Sequence, residues 1–317
     1  MNKQRGQDVN KREEFWDNLS KQSNSFDVIY DADFSKALKI THKELSQINN
    51  VVFDILYYSL TNNTQREVGS PQNHQQIIDY LDKQISFSVN FPSNANRFVQ
   101  LENLLLETMQ KRGLLQQVVG IQFPIDVRVV QATAPPGYLD RRDAIDFMHC
   151  DGWRGEPNDG VNCLLYSHAP EGCSRLHILD LPKNRLNTMA KFKGDEKNTG
   201  GLLDGLQPID FKHEPGIMIF FDSYAPHKVL RQGKSTRISL NFSLRRNDPY
   251  QVLDDRWGRD RQSWDKYWYL PTQVSKSFEA RCSNEVDQLL SQGKTEAATL
   301  RKQYITQKLL KNSSEVY

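Results

Sequence analysis

"TRISLNFSLR", residues 236–245, decides how this chain folds. Ile238, Leu240, Phe242 and Leu244 alternate with Arg237, Ser239, Asn241 and Ser243, so a strand here has one apolar and one polar face. On an open sheet the polar face would meet water. In a small barrel it lines a cavity instead. Arg237 and Ser239, two positions apart, then form a charge-assisted hook for a carboxylate.

Working outward, strand-type segments surround this one. "IDVRVVQAT" (125–133), "VNCLLYS" (161–167), "SRLHILDL" (174–181), "GIMIFFD" (216–222) and "HKVL" (227–230) are short, β-rich and separated by Gly, Pro, Asn and Asp. That pattern predicts a sandwich or barrel rather than βαβ units. Helices precede it. Thr41 and Glu44 in "THKE" form a capping box, and Leu45, Ile48, Val52, Ile55, Leu56 and Leu60 follow at helical spacing. "SPQNHQQIIDYLDKQI" opens a second helix with Ser70 as cap and Pro71 in its first turn, and "NRFVQLENLLLETMQKRG" forms a third that Gly113 ends.

The expected organisation is a flexible arm over 1–25 and a catalytic domain over 26–270. Within that domain, 40–115 gives helical support and 116–246 the β core; a helical extension covers 271–317. The 41 basic and 39 acidic residues of the 317 leave a net charge of +2, without the basic field of a general nucleic-acid binder. No apolar run is long enough for a membrane span, and the first residues lack a secretory apolar core, so a cytoplasmic protein is expected. Cys150, Cys163, Cys173 and Cys282 follow no common zinc spacing and read as free buried thiols.

"FMHCDGW" (147–153) supplies the next piece. On an extended strand, residues i and i+2 share a face roughly 7 Å apart, so His149 and Asp151 converge while Cys150 points away. In "GIMIFFDSYAPHKVL" a strand ends at Asp222 and a short loop delivers His227. Two histidines and a carboxylate with positions left open suit non-haem Fe(II). Ten residues separate His227 from Arg237, enough for a strand, a turn around "QGKS" and a return, which would set the ligand and the hook on neighbouring strands.

Taken in order, His149-x-Asp151, His227 and Arg237-x-Ser239 resemble the signature of the Fe(II)/2-oxoglutarate-dependent oxygenases, over roughly residues 121–246. The resemblance implies a mainly β fold with helices: a double-stranded β-helix (jelly-roll, cupin-like) core flanked by N- and C-terminal helices. It implies that His149, Asp151 and His227 hold Fe(II) and are the catalytic centre. The 1-carboxylate and 2-keto oxygen of the cosubstrate 2-oxoglutarate would take two further positions, and O2 the last. Arg237 and Ser239 would bind the distal carboxylate, and Asn162 or Tyr166 would touch the cosubstrate from the strand after the ligand pair. In the halogenating branch a small residue replaces the carboxylate, so Asp151 points to hydroxylation, desaturation or ring formation.

The substrate would meet the loops at the barrel mouth. "APPGYLDRRDAIDF" and "GWRGEPNDG" flank the ligand pair, and 182–205 is long enough for a lid or a disordered insertion. Trp153, Arg154 and Gln131 are the expected substrate contacts; Arg141 and Arg142 either favour an anion or are simply solvated, the commoner state of exposed arginines. His168, His177 and His213 read as ordinary histidines, and Asp222 as a turn cap. The tract around Trp257, Trp264, Tyr267, Trp268 and Tyr269 is expected to pack the C-terminal segment on the barrel. The partner is then a small molecule such as an amino acid or biosynthetic intermediate, and the C-terminal helix could pair two copies as a homodimer. Competing readings are a protein side-chain hydroxylase, a non-catalytic metal binder, or a zinc cupin with no need of the Arg237 hook.

Overall fold

The computed structural model describes residues 12–21, 28–64, 74–84, 87, 89, 94–140, 144–154, 159–192, 198–231, 233, 235–246, 267–269, 278–293 and a few positions between 295 and 303. In chain order the elements are α1 (12–21), β1 (Val28–Ala32), β2 (Ser35–Lys39), α2 (His42–Thr64), α3 (His74–Leu81) and α4 (Ala95–Gln110). Then come β3 (Gly120–Phe123), β4 (Asp126–Val130), β5 (Gly160–His168), β6 (Arg175–Ile178), α5 (Lys183–Lys191), β7 (Ile217–Asp222), β8 (His227–Leu230), β9 (Arg237–Arg245), β10 (Tyr267–Tyr269) and α6 (Phe278–Ser291).

The large sheet runs β1-β2-β7-β5-β9-β3-β10, with β4 also paired to β9, and every pairing is antiparallel. The small sheet is built on β6 and β8. It widens on one side through the reciprocal bonds of His149 with His227, and on the other through Leu179 and Pro208. From β4 onward the chain steps between the sheets: β4 large, 145–149 small, β5 large, β6 and 207–209 small, β7 large, β8 small, β9 large. That alternation is a double-stranded β-helix, as the resemblance implied.

The two faces of β9 go where their chemistry sends them. Ile238, Leu240, Phe242 and Leu244 join one core with Cys163, Leu165, Met218 and Phe220 of the large sheet and the apolar stripes of α2, α3 and α4. Each such side chain contributes about 1.5–3 kcal/mol by leaving water. The opposite face of the sheet closes on the small one: Leu164, Tyr166, Ile217, Ile219 and Phe221 meet Leu176, Ile178 and Ala225. Arg237, Ser239 and Asn241 are therefore presented to the barrel interior, opposite Val130, Arg128 and Asp126 of β4.

The helical support is fastened at its start. Thr41 and Glu44 form the expected capping box, with the Glu44 carboxylate accepting from the Thr41 N–H at 3.0 Å. Arg112, just past α4, donates to both Glu44 oxygens at 2.7 and 2.6 Å, and that contact is the main reason the Glu44 pKa lies down at about 2. Gly113 takes φ +67°, the left-handed value that ends α4. The second helix is described only from His74, so Ser70 and Pro71 lie outside the described residues. Trp257 and Trp264 do too, whereas Tyr267–Tyr269 add a strand to β3. Cys150, Cys163 and Cys173 are free and buried, as expected.

Three expectations need correction. Residues 12–21 of the supposed flexible arm form a helix whose Phe15, Trp16 and Leu19 are buried in the core, because these three residues make an apolar stripe in an otherwise polar segment. His149 and Asp151 do not share a strand: the ladder ends at His149, and Asp151 opens a 3-10 turn, Asp151–Arg154. β8 and β9 are not neighbours either. β8 pairs with β6 in the small sheet and β9 with β5 in the large one, so His227 and Arg237 belong to opposite walls.

Candidate metal centre and its carboxylate pocket

His149, Asp151 and His227 offer ligand atoms that all lie within 4.8 Å of one another. His149 Nε2 is 3.5 Å from Asp151 Oδ1, and His227 Nε2 is 3.6 Å from Asp151 Oδ2. Both Nδ1 atoms face carbonyls, Phe147 O at 2.7 Å and Ala225 O at 3.0 Å. A carbonyl only accepts, so each Nδ1 carries a proton, and each ring turns its Nε2 toward the carboxylate. Burial, opposed by Asp151, brings the His227 pKa down to about 4, which keeps that ring neutral near pH 7. Burial pushes the Asp151 carboxyl up, but His227, His149 and Arg128 together outweigh it and hold it well below the usual carboxylate range. Three converging lone-pair donors with one negative charge form a cation site. The donor set of two imidazoles and a carboxylate fits Fe(II), with coordination positions left for other ligands.

The carboxylate is held from behind. Asn162 on β5 donates to Asp151 Oδ2 at 2.7 Å, and its own oxygen accepts from Ser243 on β9 at 3.1 Å. Asn162 thus positions a ligand, where a cosubstrate contact was expected. Ser243 was not singled out as a site residue, although the same alternation that exposed Arg237 puts it on the interior face.

Deeper in the barrel, Arg237 is fully buried and, among the described residues, no carboxylate pairs with it. One of its terminal nitrogens reaches the Ser174 carbonyl at 3.4 Å, and its Nε has no hydrogen-bond partner. Burial lowers its pKa from the ordinary value. Tyr166 lies beside it, with the guanidinium 5.7 Å from the ring centre; the phenol accepts from the Leu176 N–H, and burial pushes its pKa up to about 12. Ser239 is buried and donates to Asn241 at 3.0 Å. The Gln131 side chain is buried, its Nε2 has no hydrogen-bond partner among the described residues, and the residue's backbone carbonyl accepts from Arg231 at 2.7 Å. A buried guanidinium that also feels the charges of Arg128 and Arg231, with no carboxylate paired to it among the described residues, is a group that an anion would neutralise.

The mouth is less completely built. Trp153 donates its indole N–H to Met189 O at 2.9 Å and packs on Phe192 at 4.7 Å between ring centres, so only its ring faces remain for a substrate. The same contacts anchor part of the 182–205 segment: Leu186 and Met189 of α5 are buried, and 193–197 lie outside the described residues. Arg154 reaches Ala144 O at 3.3 Å and is close enough for its charge to act on His227. Arg128, paired with Asp126 at 2.8 Å, acts in the same way on Asp151 and Arg237; it was read only as part of the preceding strand. Arg141 and Arg142 lie outside the described residues. His213 bonds Leu176 O, and neither it, His168 nor His177 joins the triad. Asp222 caps its turn as expected, accepting from Tyr224 N at 3.0 Å.

Fold and site together define a double-stranded β-helix that brings two histidines and one aspartate to a single point. No family model matches the chain, and no curated protein matches it. Among solved structures it is similar to the non-haem α-ketoglutarate-dependent carbocyclase SnoK from nogalamycin biosynthesis, at 11% identity over 71% of this chain and 86% of that one, with a TM-score of 0.43. EctD from S. alaskensis with bound Fe matches at 13% identity over 68% and 74%, TM-score 0.37. An N-substituted L-amino acid dioxygenase from Burkholderia ambifaria AMMD, in complex with α-ketoglutarate, matches at 15% over 66% and 81%, TM-score 0.32. No helix among the described residues is long and apolar enough to cross a membrane.

Proposed function

We propose that this chain is an Fe(II)/2-oxoglutarate-dependent oxygenase that hydroxylates a small molecule. The observation that carries the reading is the buried Arg237, with no carboxylate paired to it among the described residues, inside the same barrel that converges His149, Asp151 and His227. A metal binder or a zinc cupin has no use for a desolvated cation there, whereas a dicarboxylic cosubstrate neutralises it.

In this reading His149, Asp151 and His227 hold the iron, and Asn162 keeps the carboxylate turned toward it. Arg237 pairs with the distal carboxylate of 2-oxoglutarate, and Ser239 adds a hydrogen bond by turning from Asn241. Iron, 2-oxoglutarate and O2 together supply the oxidising power for a C–H bond, with the keto acid decarboxylated to succinate. The protein's own work is positional. The two Nδ1–H bonds fix the imidazole tautomers, and the apolar walls around Tyr166 and Phe221 keep the pocket dry. Trp153 and Arg154 border the reacting centre, and Arg154 brings positive charge to it, whereas Arg128 is paired with Asp126. A hydrophilic substrate with an acidic group suits that lining.

Anaerobic addition of Fe(II) and then 2-oxoglutarate tests this, read by the weak visible charge-transfer band of a chelated keto acid. The band is expected in the wild type and absent in His227→Ala. Iron binding without a band would exclude 2-oxoglutarate as the cosubstrate and return the site to the cupin reading.

A further inference from the structure

We propose that α1 is a positioning element of the metal centre, acting through Arg12 and Trp16 on the 222–225 turn. The inference rests on the reading of His149, Asp151 and His227 as metal ligands.

The turn between β7 and β8 is tied to all three. Ala225 O fixes the His227 ring at Nδ1, 3.0 Å away. Ser223 O accepts the N–H of Gly152 at 2.9 Å, and Tyr224 O accepts the Cys150 thiol at 3.1 Å, so the residues on both sides of Asp151 hang from the same turn. The Tyr224 ring lies flush against Gly152: a Cβ there would stand 2.5 Å from Tyr224 Cε1. His149 follows through its reciprocal bonds with His227, at 3.0 and 2.8 Å. A displacement of this turn therefore moves every ligand.

The turn's backbone is held by neighbouring strands, Asp222 N–H donating to Phe34 O at 2.9 Å and Ser223 N–H to Gly160 O at 3.2 Å, whereas its buried carboxylate is met from α1. The fully buried Asp222 carboxylate caps it through Oδ1, which accepts from Tyr224 N. Its Oδ2 faces α1: Arg12 Nε at 3.4 Å, with both side chains buried, and Trp16 Nε1 at 3.4 Å. The Arg12 guanidinium also stands 5.3 Å from the centre of the Tyr224 ring. The far end of the helix is fastened separately, where Ser20 bonds Asp31 at 3.0 Å and accepts from the buried Lys36 at 2.9 Å. α1 is thus anchored at its C-terminal end and applies its N-terminal end to the metal-bearing turn. Without that end the buried carboxylate would lose its charged partner and keep its desolvation, and the turn would rearrange to rehydrate it.

The test is Co(II) titration of the full chain, followed by its visible d–d spectrum, beside thermal melts of the metal-free proteins. Trp16→Phe removes one donor and keeps the packing, Arg12→Met removes the charge, and Arg12→Lys restores it. Partners behind a ligand set usually govern metal affinity by 10- to 100-fold, so Arg12→Met should weaken Co(II) binding at least about tenfold and alter the spectrum. Trp16→Phe should lie between it and wild type, and Arg12→Lys should recover most of the loss. If both variants melt lower yet bind Co(II) as wild type does, α1 is only a stabilising helix and the proposal falls. If wild type itself binds no Co(II), the metal reading of the triad has failed, a different result from equal binding by all the proteins.

Discussion

Replacing Arg237 with methionine should move stability and ligand affinity in opposite directions. Methionine fills much of the same volume without the charge. In the folded protein the guanidinium is desolvated, bonded to one carbonyl at 3.4 Å, and faced by no described carboxylate. Exchanging a poorly compensated buried charge for an apolar side chain is neutral or stabilising, here by about 0–2 kcal/mol. For a chain of this size that is a rise in the melting temperature of at most a few degrees, at about 2–4 °C per kcal/mol. Binding moves the other way. A bidentate guanidinium–carboxylate contact supplies two charge-assisted hydrogen bonds of about 1.5–3 kcal/mol each, so losing even half of that total costs at least about tenfold, and losing most of it several hundredfold. Thermal melts of the metal-free protein and anaerobic titration of the Fe(II) form with 2-oxoglutarate measure the two quantities. A variant that melts much lower and binds 2-oxoglutarate unchanged would refute the reasoning, making Arg237 a structural brace for the Ser174 carbonyl.

Other perturbations read other parts of the molecule. Asn162→Ala frees the Asp151 carboxylate and should weaken Co(II) binding about tenfold with little change in melting temperature, by the same titration. Phe242→Ala opens a cavity between the large sheet and the helices and should cost about 3–5 kcal/mol in a urea unfolding curve. Glu44→Gln tests a pH dependence. The folded pKa of about 2 lies below the ordinary 4.5, so the carboxylate's contribution is full above pH 4.5 and vanishes as pH falls toward 2. The variant should therefore be less stable than wild type near pH 7, by on the order of 2 kcal/mol, and the gap should close in melts approaching pH 2.

How much of this was legible in the sequence depended on whether a signal was local. The alternation in 236–245 is local, and it separates the polar face of β9, which lines the barrel interior, from the apolar face, which the structure packs on the helices. The capping box at Thr41 is equally local. The three residues of the candidate metal site were legible because coordination chemistry restricts residue type, and the structure brings all three together. What the sequence left unsaid was pairing. Nothing in the nine residues between His227 and Arg237 states that the chain changes sheets there, because either path has the same length. Asn162 was noticed for its polarity, but its partner Asp151 comes from another element, so a positioning role was invisible. α1 failed differently: Phe15, Trp16 and Leu19 are a genuine stripe, diluted by the charges around them. β1 and β2 were also missed, since "VIYDA" and "SKALK" are too short and mixed to stand out.

The reciprocal bonds between His149 and His227 make the smaller wall of the barrel depend on what it carries. That wall consists of two four-residue strands and isolated bridges, against strands of up to nine residues opposite. An ion bound to both imidazoles acts as a rivet across the joint, and occupancy at a hundred times the dissociation constant adds about 2.7 kcal/mol to the closed form. Metal loss would then do more than stop chemistry. It would loosen the joint between His149 and His227, so that under the proposed function iron supply and the lifetime of the folded chain become coupled quantities.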